Sequence, residues 1–162
     1  MVPKFKCYLI IIGCFQVIFS GPSKQGEAYE YFLKGEYEIL QNNFKQAEKH
    51  YTKALSLSPD SPTILRSLVD LKSYQGEYED AIQYLEKILE LEPDNKDSGL
   101  DLYQLHVQSK NLVKAERVLD TLLIHFPGDQ DILFARANTQ YSEQDWPNLL
   151  KTYQSIYASD PA

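Results

Sequence analysis

Pro59, Pro93, Pro127 and Pro161 stand 34 residues apart along the chain without a slip. No other property of the sequence constrains its fold as much, because 34 residues is the length of one helix–turn–helix unit repeated in tandem. Arrays of this kind chiefly bind other chains, so the period also sets an expectation for the class of function. With each proline placed at position 32, the units run 28–61, 62–95, 96–129 and 130–162.

Other signals keep the same phase. Position 20 reads Ala47, Ala81, Ala115 and Leu149; position 24 reads Tyr51, Leu85, Leu119 and Tyr153; position 27 reads Ala54, Ile88, Leu122 and Ile156. With Phe44, Tyr78, Leu112 and Trp146 at position 17, these apolar residues recur at helical spacing and define an amphipathic second helix in each unit. The proline ends that helix by disfavouring helical backbone in the residue before it. Ser61, Asn95 and Asp129 are placed to cap the next first helix, and Pro62 suits a first helical position. Asn43, Asn111 and Asp145 are expected to cap second helices, the last of which begins at Trp146-Pro147. Position 15 requires a left-handed turn. Gly76 meets that requirement and Asn42 tolerates it, whereas Lys110 and Gln144 each carry a cost of about 1 kcal/mol.

The residues resemble the tetratricopeptide repeat family, most clearly in Leu65, Leu68, Gly76-Glu77-Tyr78 and Ala81, closing on Leu91-Glu92-Pro93. The resemblance covers residues 28–162 and implies an all-α helix–turn–helix solenoid, a right-handed superhelix of four repeats. Position 8, usually small in the family, reads Gly35, Val69, Tyr103 and Ala137. Bulky Tyr103 is expected to face small Ala115, and bulky Leu149 to face small Ala137, so that volume is conserved across each helix pair.

The formal charge is −7, and with Lys4 and Lys6 set aside the remainder holds 14 basic against 23 acidic residues. An acidic body with three arginines and no basic run is not expected to bind nucleic acid. Both cysteines, Cys7 and Cys14, precede the repeats, so the repeats hold no disulfide or thiolate site. Residues 1–21 read as a secretory signal: Lys4 and Lys6, an apolar run from Cys7 to Phe19, then Ser20 and Gly21, with cleavage expected after Ser20. The run is short for a membrane span of about 20 residues. Gly13-Cys14 also resembles a lipobox, which leaves a lipid-anchored envelope factor open beside a secreted or periplasmic protein, and an uncleaved anchor is a third reading. Residues 22–27 read as a short linker.

The resemblance further implies that the first helices line a concave ligand face, with positions 2, 5, 9, 12 and 13 pointing into it. In this chain the candidates are Tyr29, Phe32 and Glu36 in the first unit, and Arg66, Asp70 and Tyr74 in the second. Leu100 and Gln104 follow in the third, and Phe134, Asn138 and Tyr141 in the fourth. Phe32, Leu100 and Phe134 share position 5 and are expected to be either groove anchors or packing residues. Arg66 and Asp70, four residues apart, are expected to form an intrahelical pair. The lysine and asparagine clamp that some family members use for chaperone carboxylate tails is absent at positions 5 and 9.

His50, His106 and His125 fall at different positions of different units, and His106 is expected to pack between helices. No phosphate loop, nucleophile motif, metal-ligand spacing or cofactor signature is present, so neither an enzyme nor a cofactor is expected. The last helix carries Leu150, Tyr153, Ile156 and Tyr157, an apolar face suited to self-association or to a further repeat beyond Ala162. The expected function is an exported, non-enzymatic scaffold for a protein or peptide. The alternatives are the N-terminal targeting arm of a longer enzyme or transport component, and the lipid-anchored envelope assembly factor.

Overall fold

The computed structural model describes residues 23–159. The signal segment, Cys7, Cys14 and Pro161 lie outside them. The described residues form eight helices and no strand: α1 Lys24–Leu40, α2 Phe44–Leu57, α3 Pro62–Gln75, α4 Tyr78–Leu91, α5 Lys96–Gln108, α6 Leu112–His125, α7 Gln130–Ser142 and α8 Trp146–Ser159. They pair as hairpins α1/α2, α3/α4, α5/α6 and α7/α8, one per unit. The chain divides into two compact units, one ending at Pro59 and one starting at Asp60. The first holds a single hairpin and the second holds three. No described helix is long and apolar enough to cross a membrane.

Local chemistry explains the helix ends. Ser58, Glu92 and Phe126 each precede a proline, and their φ/ψ values of −136/76°, −133/75° and −126/66° are nearly the same extended-side conformation. The proline ring forbids helical backbone there, so three second helices stop at the same phase. Within each hairpin the turn is also repeated. Asn42, Gly76, Lys110 and Gln144 have φ of 59°, 77°, 58° and 59°. The following N–H groups of Asn43, Glu77, Asn111 and Asp145 donate to the carbonyls of Glu38, Lys72, His106 and Gln140 at 2.8–2.9 Å. This closure satisfies carbonyls that the helix end leaves open. Lys110→Gly and Gln144→Gly are each expected to raise the unfolding free energy by about 0.5–1 kcal/mol, since glycine relieves the Cβ clash of a left-handed residue. Urea titrations of the two single variants measure it; destabilisation would mean that the side chains themselves hold these turns.

The caps follow expectation in part. Asn95 accepts from the Ser98 N–H at 2.9 Å, Asn111 from Lys114 and Asp129 from Ile132 at 3.3 Å. Asp145 accepts from Asn148 N–H at 3.4 Å, and Pro147 sits in the first turn of α8. Ser61 and Asn43 occupy cap positions without a side-chain cap bond. Asn43 donates through Nδ2 to Glu38 Oε2 at 2.8 Å instead, and Pro62 occupies the first turn of α3, where its missing N–H costs no helix bond. Helix α1 starts at Lys24, inside the stretch read as a linker, because Ser23 Oγ accepts from the Gly26 N–H at 3.2 Å.

The interior repeats as the period requires. Ala47, Ala81 and Ala115 are fully buried, as are Leu85 and Leu119. In the first unit Gly35 faces Tyr51 so closely that a Cβ on the glycine would lie 2.4 Å from Tyr51 Cε1. Tyr103 makes the opposite trade. It packs with Ala115, Leu119, Leu122 and Ile132, and its hydroxyl reaches α7, where it lies 3.0 Å from the Ala135 carbonyl and 2.9 Å from Thr139 Oγ1. Gly99 makes room in the same hairpin, where an added Cβ would lie 2.5 Å from Leu122 Cδ2. Volume is thus conserved between helices, with neighbouring hairpins sharing the adjustment.

Candidate peptide-binding face

In the three-hairpin unit the first helices α3, α5 and α7 are tied to one another by side chains. Arg66 on α3 donates through Nη1 to Asp101 Oδ2 and through Nη2 to Ser98 Oγ, both on α5 and both at 2.5 Å. The guanidinium therefore bridges to the next hairpin, a link that a reading along its own helix does not reveal. Lys96 at the start of α5 lies 3.0 Å from both Asp129 Oδ2 and Asp131 Oδ2 at the start of α7. Asp131 and then Asp129 raise the Lys96 ammonium above its ordinary range. Burial works against ionisation of Asp129, yet Lys96 and the Ile132 N–H hold its carboxyl below the usual value. Deeper in, the Tyr103 hydroxyl joins α5 to α7. These links hold α3, α5 and α7 to one another along one side of the unit.

The candidates on that face differ in availability. Phe134 is 47 % exposed and Tyr141 63 %. They sit seven residues apart, on one side of α7, with exposed Asn138 between them. Tyr141 also meets Trp146 edge to face, with ring centroids 5.7 Å apart. Gln104 on α5 and Asp70 and Tyr74 on α3 are exposed. Leu100 is half-buried and leans on the cluster around Tyr103 and Leu119. In the one-hairpin unit Tyr29 is exposed, and its ring lies 6.3 Å from that of Phe32. Phe32 itself is half-buried against Tyr51, 6.0 Å between centroids, and Glu36 accepts from the Tyr51 hydroxyl at 2.7 Å. Of the three apolar position-5 side chains, Phe134 alone is exposed.

The sequence reading overlooked Asp101, Ser98 and Lys96. A signal for them existed: Arg66 and Asp101, like Lys96 and Asp131, are opposite charges 35 residues apart, one period plus one. Stacking brings such residues together, whereas a search along a single helix does not.

The other side of the unit is polar. Position 11 reads Lys72, His106 and Gln140, and all three are buried. Lys72 pairs with Glu77 at 2.6 Å and Asp80 at 3.8 Å, while Gln140 accepts from the Thr152 hydroxyl at 2.8 Å. His106 borders a cavity of about 320 Å³ with Glu86 and Lys114; its burial, and then Lys114, lower its pKa, with Glu86 opposing. A second cavity of about 530 Å³ among α6, α7 and α8 contains the Arg136–Asp120 pair. Glu116 there is pushed up by burial and by Glu143. No group of three His, Cys, Asp or Glu able to hold a metal occurs among the described residues. At α8, Leu149 is buried, Ile156 is half-buried, and Leu150, Tyr153 and Tyr157 are exposed.

Family models of the tetratricopeptide repeat match residues 28–61 and 74–139, together more than half of the chain. No curated protein sequence matches it. Among solved structures, it is similar to a tetratricopeptide repeat protein from Parabacteroides merdae, with 20 % identity and a TM-score of 0.67 over 83 % of this chain and 52 % of that one. It thus spans about half the length of that protein. MamA from Desulfovibrio magneticus RS-1 is similar at 16 % identity and a TM-score of 0.65, over 83 % of this chain and 76 % of that one. YrrB, a tetratricopeptide repeat protein with an unusual peptide-binding site, aligns at 20 % identity and a TM-score of 0.60 over 81 % and 68 %. Identities this low establish a shared fold and nothing finer.

Proposed function

The chain belongs to the tetratricopeptide repeat family, and we propose that it is a non-catalytic scaffold holding an extended peptide or protein segment against the first-helix face of its three-hairpin unit. The observation that carries this reading is the exposure of Phe134 and Tyr141 together on one side of α7. Aromatic area left in water contributes most to binding when a partner desolvates it. Half-buried Leu100 and exposed Gln104 on α5 would extend the same surface. The peptide-binding site of YrrB belongs to that protein, but it supports the use of this fold for peptides. Export by way of residues 1–21 is part of the proposal, resting on their basic start, apolar core and small residues.

Phe134→Ala combined with Tyr141→Ala is expected to weaken peptide capture at least tenfold, about 1.4 kcal/mol, in the range of aromatic interface residues. The melting temperature should fall by no more than a few degrees, because neither ring is buried. Fluorescence anisotropy and calorimetry on the same preparations separate the two effects. Unchanged affinity in the double variant would place the ligand elsewhere.

A further inference from the structure

The charges around this face constrain the ligand, given the reading that a peptide binds there. Five carboxylates, Asp70, Asp97, Asp101, Asp129 and Asp131, lie on or beside the outward positions of α3, α5 and α7. The cations on the same side are Arg66 and Lys96, and both are engaged: Arg66 by Asp101, Lys96 by Asp129 and Asp131 together. The other cations of these helices point away. Lys72 pairs with Glu77 and Asp80 at the start of α4, and Arg136 pairs with Asp120 on α6. An anionic ligand would meet no cation on α3, α5 or α7 that is not already held by a carboxylate, and it would face more carboxylates than cations.

The positions of those carboxylates matter as much as their number. Asp97 and Asp131 lie in the first turns of α5 and α7, where the helix dipole offsets about half a charge each. Asp101 and Asp70 lie deeper along their helices and gain no such offset. Asp131 is exposed and three residues before Phe134, so a negative group and an apolar ring share one side of α7. Tyr74 and Tyr141 add ring faces at the far ends of α3 and α7, which favour a cation over an anion.

From this arrangement we infer that the ligand is a cationic peptide, an extended segment in which Lys or Arg neighbours an apolar or aromatic anchor. The anchor lies on Phe134, and the basic side chain reaches Asp131 and Asp97. Complementary charge chiefly sets the rate of encounter and rejects wrong partners, while the ring contact sets how long the complex lasts. Acidic tails, phosphorylated segments and nucleic acids are rejected by the same field.

The test uses the full chain and labelled decapeptides of four kinds: cationic with a Phe, cationic with that Phe replaced by Ser, neutral with a Phe, and anionic with a Phe. The cationic Phe peptide should bind at least about tenfold more tightly than the anionic one, and several-fold less tightly when salt rises from about 50 to 300 mM. Asp97→Asn with Asp131→Asn should weaken that peptide about five- to tenfold and leave the neutral one unchanged. Melting of this variant shows whether losing the Lys96 contact has disturbed the fold, and Asp97→Asn alone, which spares that contact, should give part of the same loss. Equal binding of all Phe peptides, lost in Phe134→Ala, would overturn the charge inference and keep the peptide reading. Equal binding of the Phe and Ser cationic peptides would reduce the effect to nonspecific attraction and overturn the inference too. Binding by none of the four would overturn both.

Discussion

Tyr103→Ala is expected to lower the unfolding free energy by about 3–5 kcal/mol, the range for removing a buried aromatic ring. The ring fills the space that Ala115 leaves on α6 and touches Leu119, Leu122 and Ile132, so its loss opens a cavity between two hairpins as well as within one. Tyr103→Phe isolates the hydroxyl. It keeps the volume and removes only the contacts to the Ala135 carbonyl and Thr139 Oγ1. Thr139 Oγ1 retains its own bond to that carbonyl at 3.2 Å, so neither oxygen is stranded and the cost should stay near 1 kcal/mol. Urea unfolding followed by circular dichroism measures both. Equal losses in the two variants would transfer the role from volume to the hydroxyl bridge.

The second large effect is expected at Gly35. Gly35→Leu places several carbons where the Tyr51 ring already stands, and a loss of about 3 kcal/mol is the upper end of the usual overpacking range. Gly35→Ala is the more delicate case. Alanine gains about 1 kcal/mol of helix propensity over glycine, but its Cβ requires the buried Tyr51 ring, held by Glu36, to shift. Replacing Tyr51 by Leu in the Gly35→Leu background should recover part of the stability, because the two positions share one volume. Failure of the second substitution to recover anything would show that backbone, not the ring, resists the added side chain.

Much of the fold was legible because it depends on neighbours in sequence. The prolines dictate the conformation of Ser58, Glu92 and Phe126 through a single peptide unit, and the left-handed turns at Asn42, Gly76, Lys110 and Gln144 follow from the same phase. The alanines at position 20 are buried because helices of one hairpin cross there. The candidate face was less legible. Arg66 was read along its own helix, where Asp70 is four residues away, and its bonds to Asp101 and Ser98 on the next hairpin were not visible that way. Phe32, Leu100 and Phe134 share a position and differ in exposure, since the neighbours that cover them come from other helices. Asn43 looked like a cap because its type suits one, yet Glu38 lies within reach and takes its amide. Side-chain partners across repeats depend on how helices stack, and a periodic pattern carries that information only when residues one period apart are compared.

The uneven depth of burial along the three-hairpin unit has a consequence for recognition. Helix α4 buries Ala81, Ile82, Leu85 and Ile88, whereas α8 buries only Leu149 and Thr152, and Tyr153 is 50 % exposed where Leu85 and Leu119 are fully covered. Local opening needs least free energy where the fewest apolar side chains separate, so amide exchange should be fastest in α8 and the adjoining part of α7. Phe134 and Tyr141 project from that same hairpin. A segment bound there would be ordering the loosest part of the array as it docks, and part of its intrinsic affinity would go into suppressing those excursions. The protein would then report occupancy of its face as slower exchange in α8.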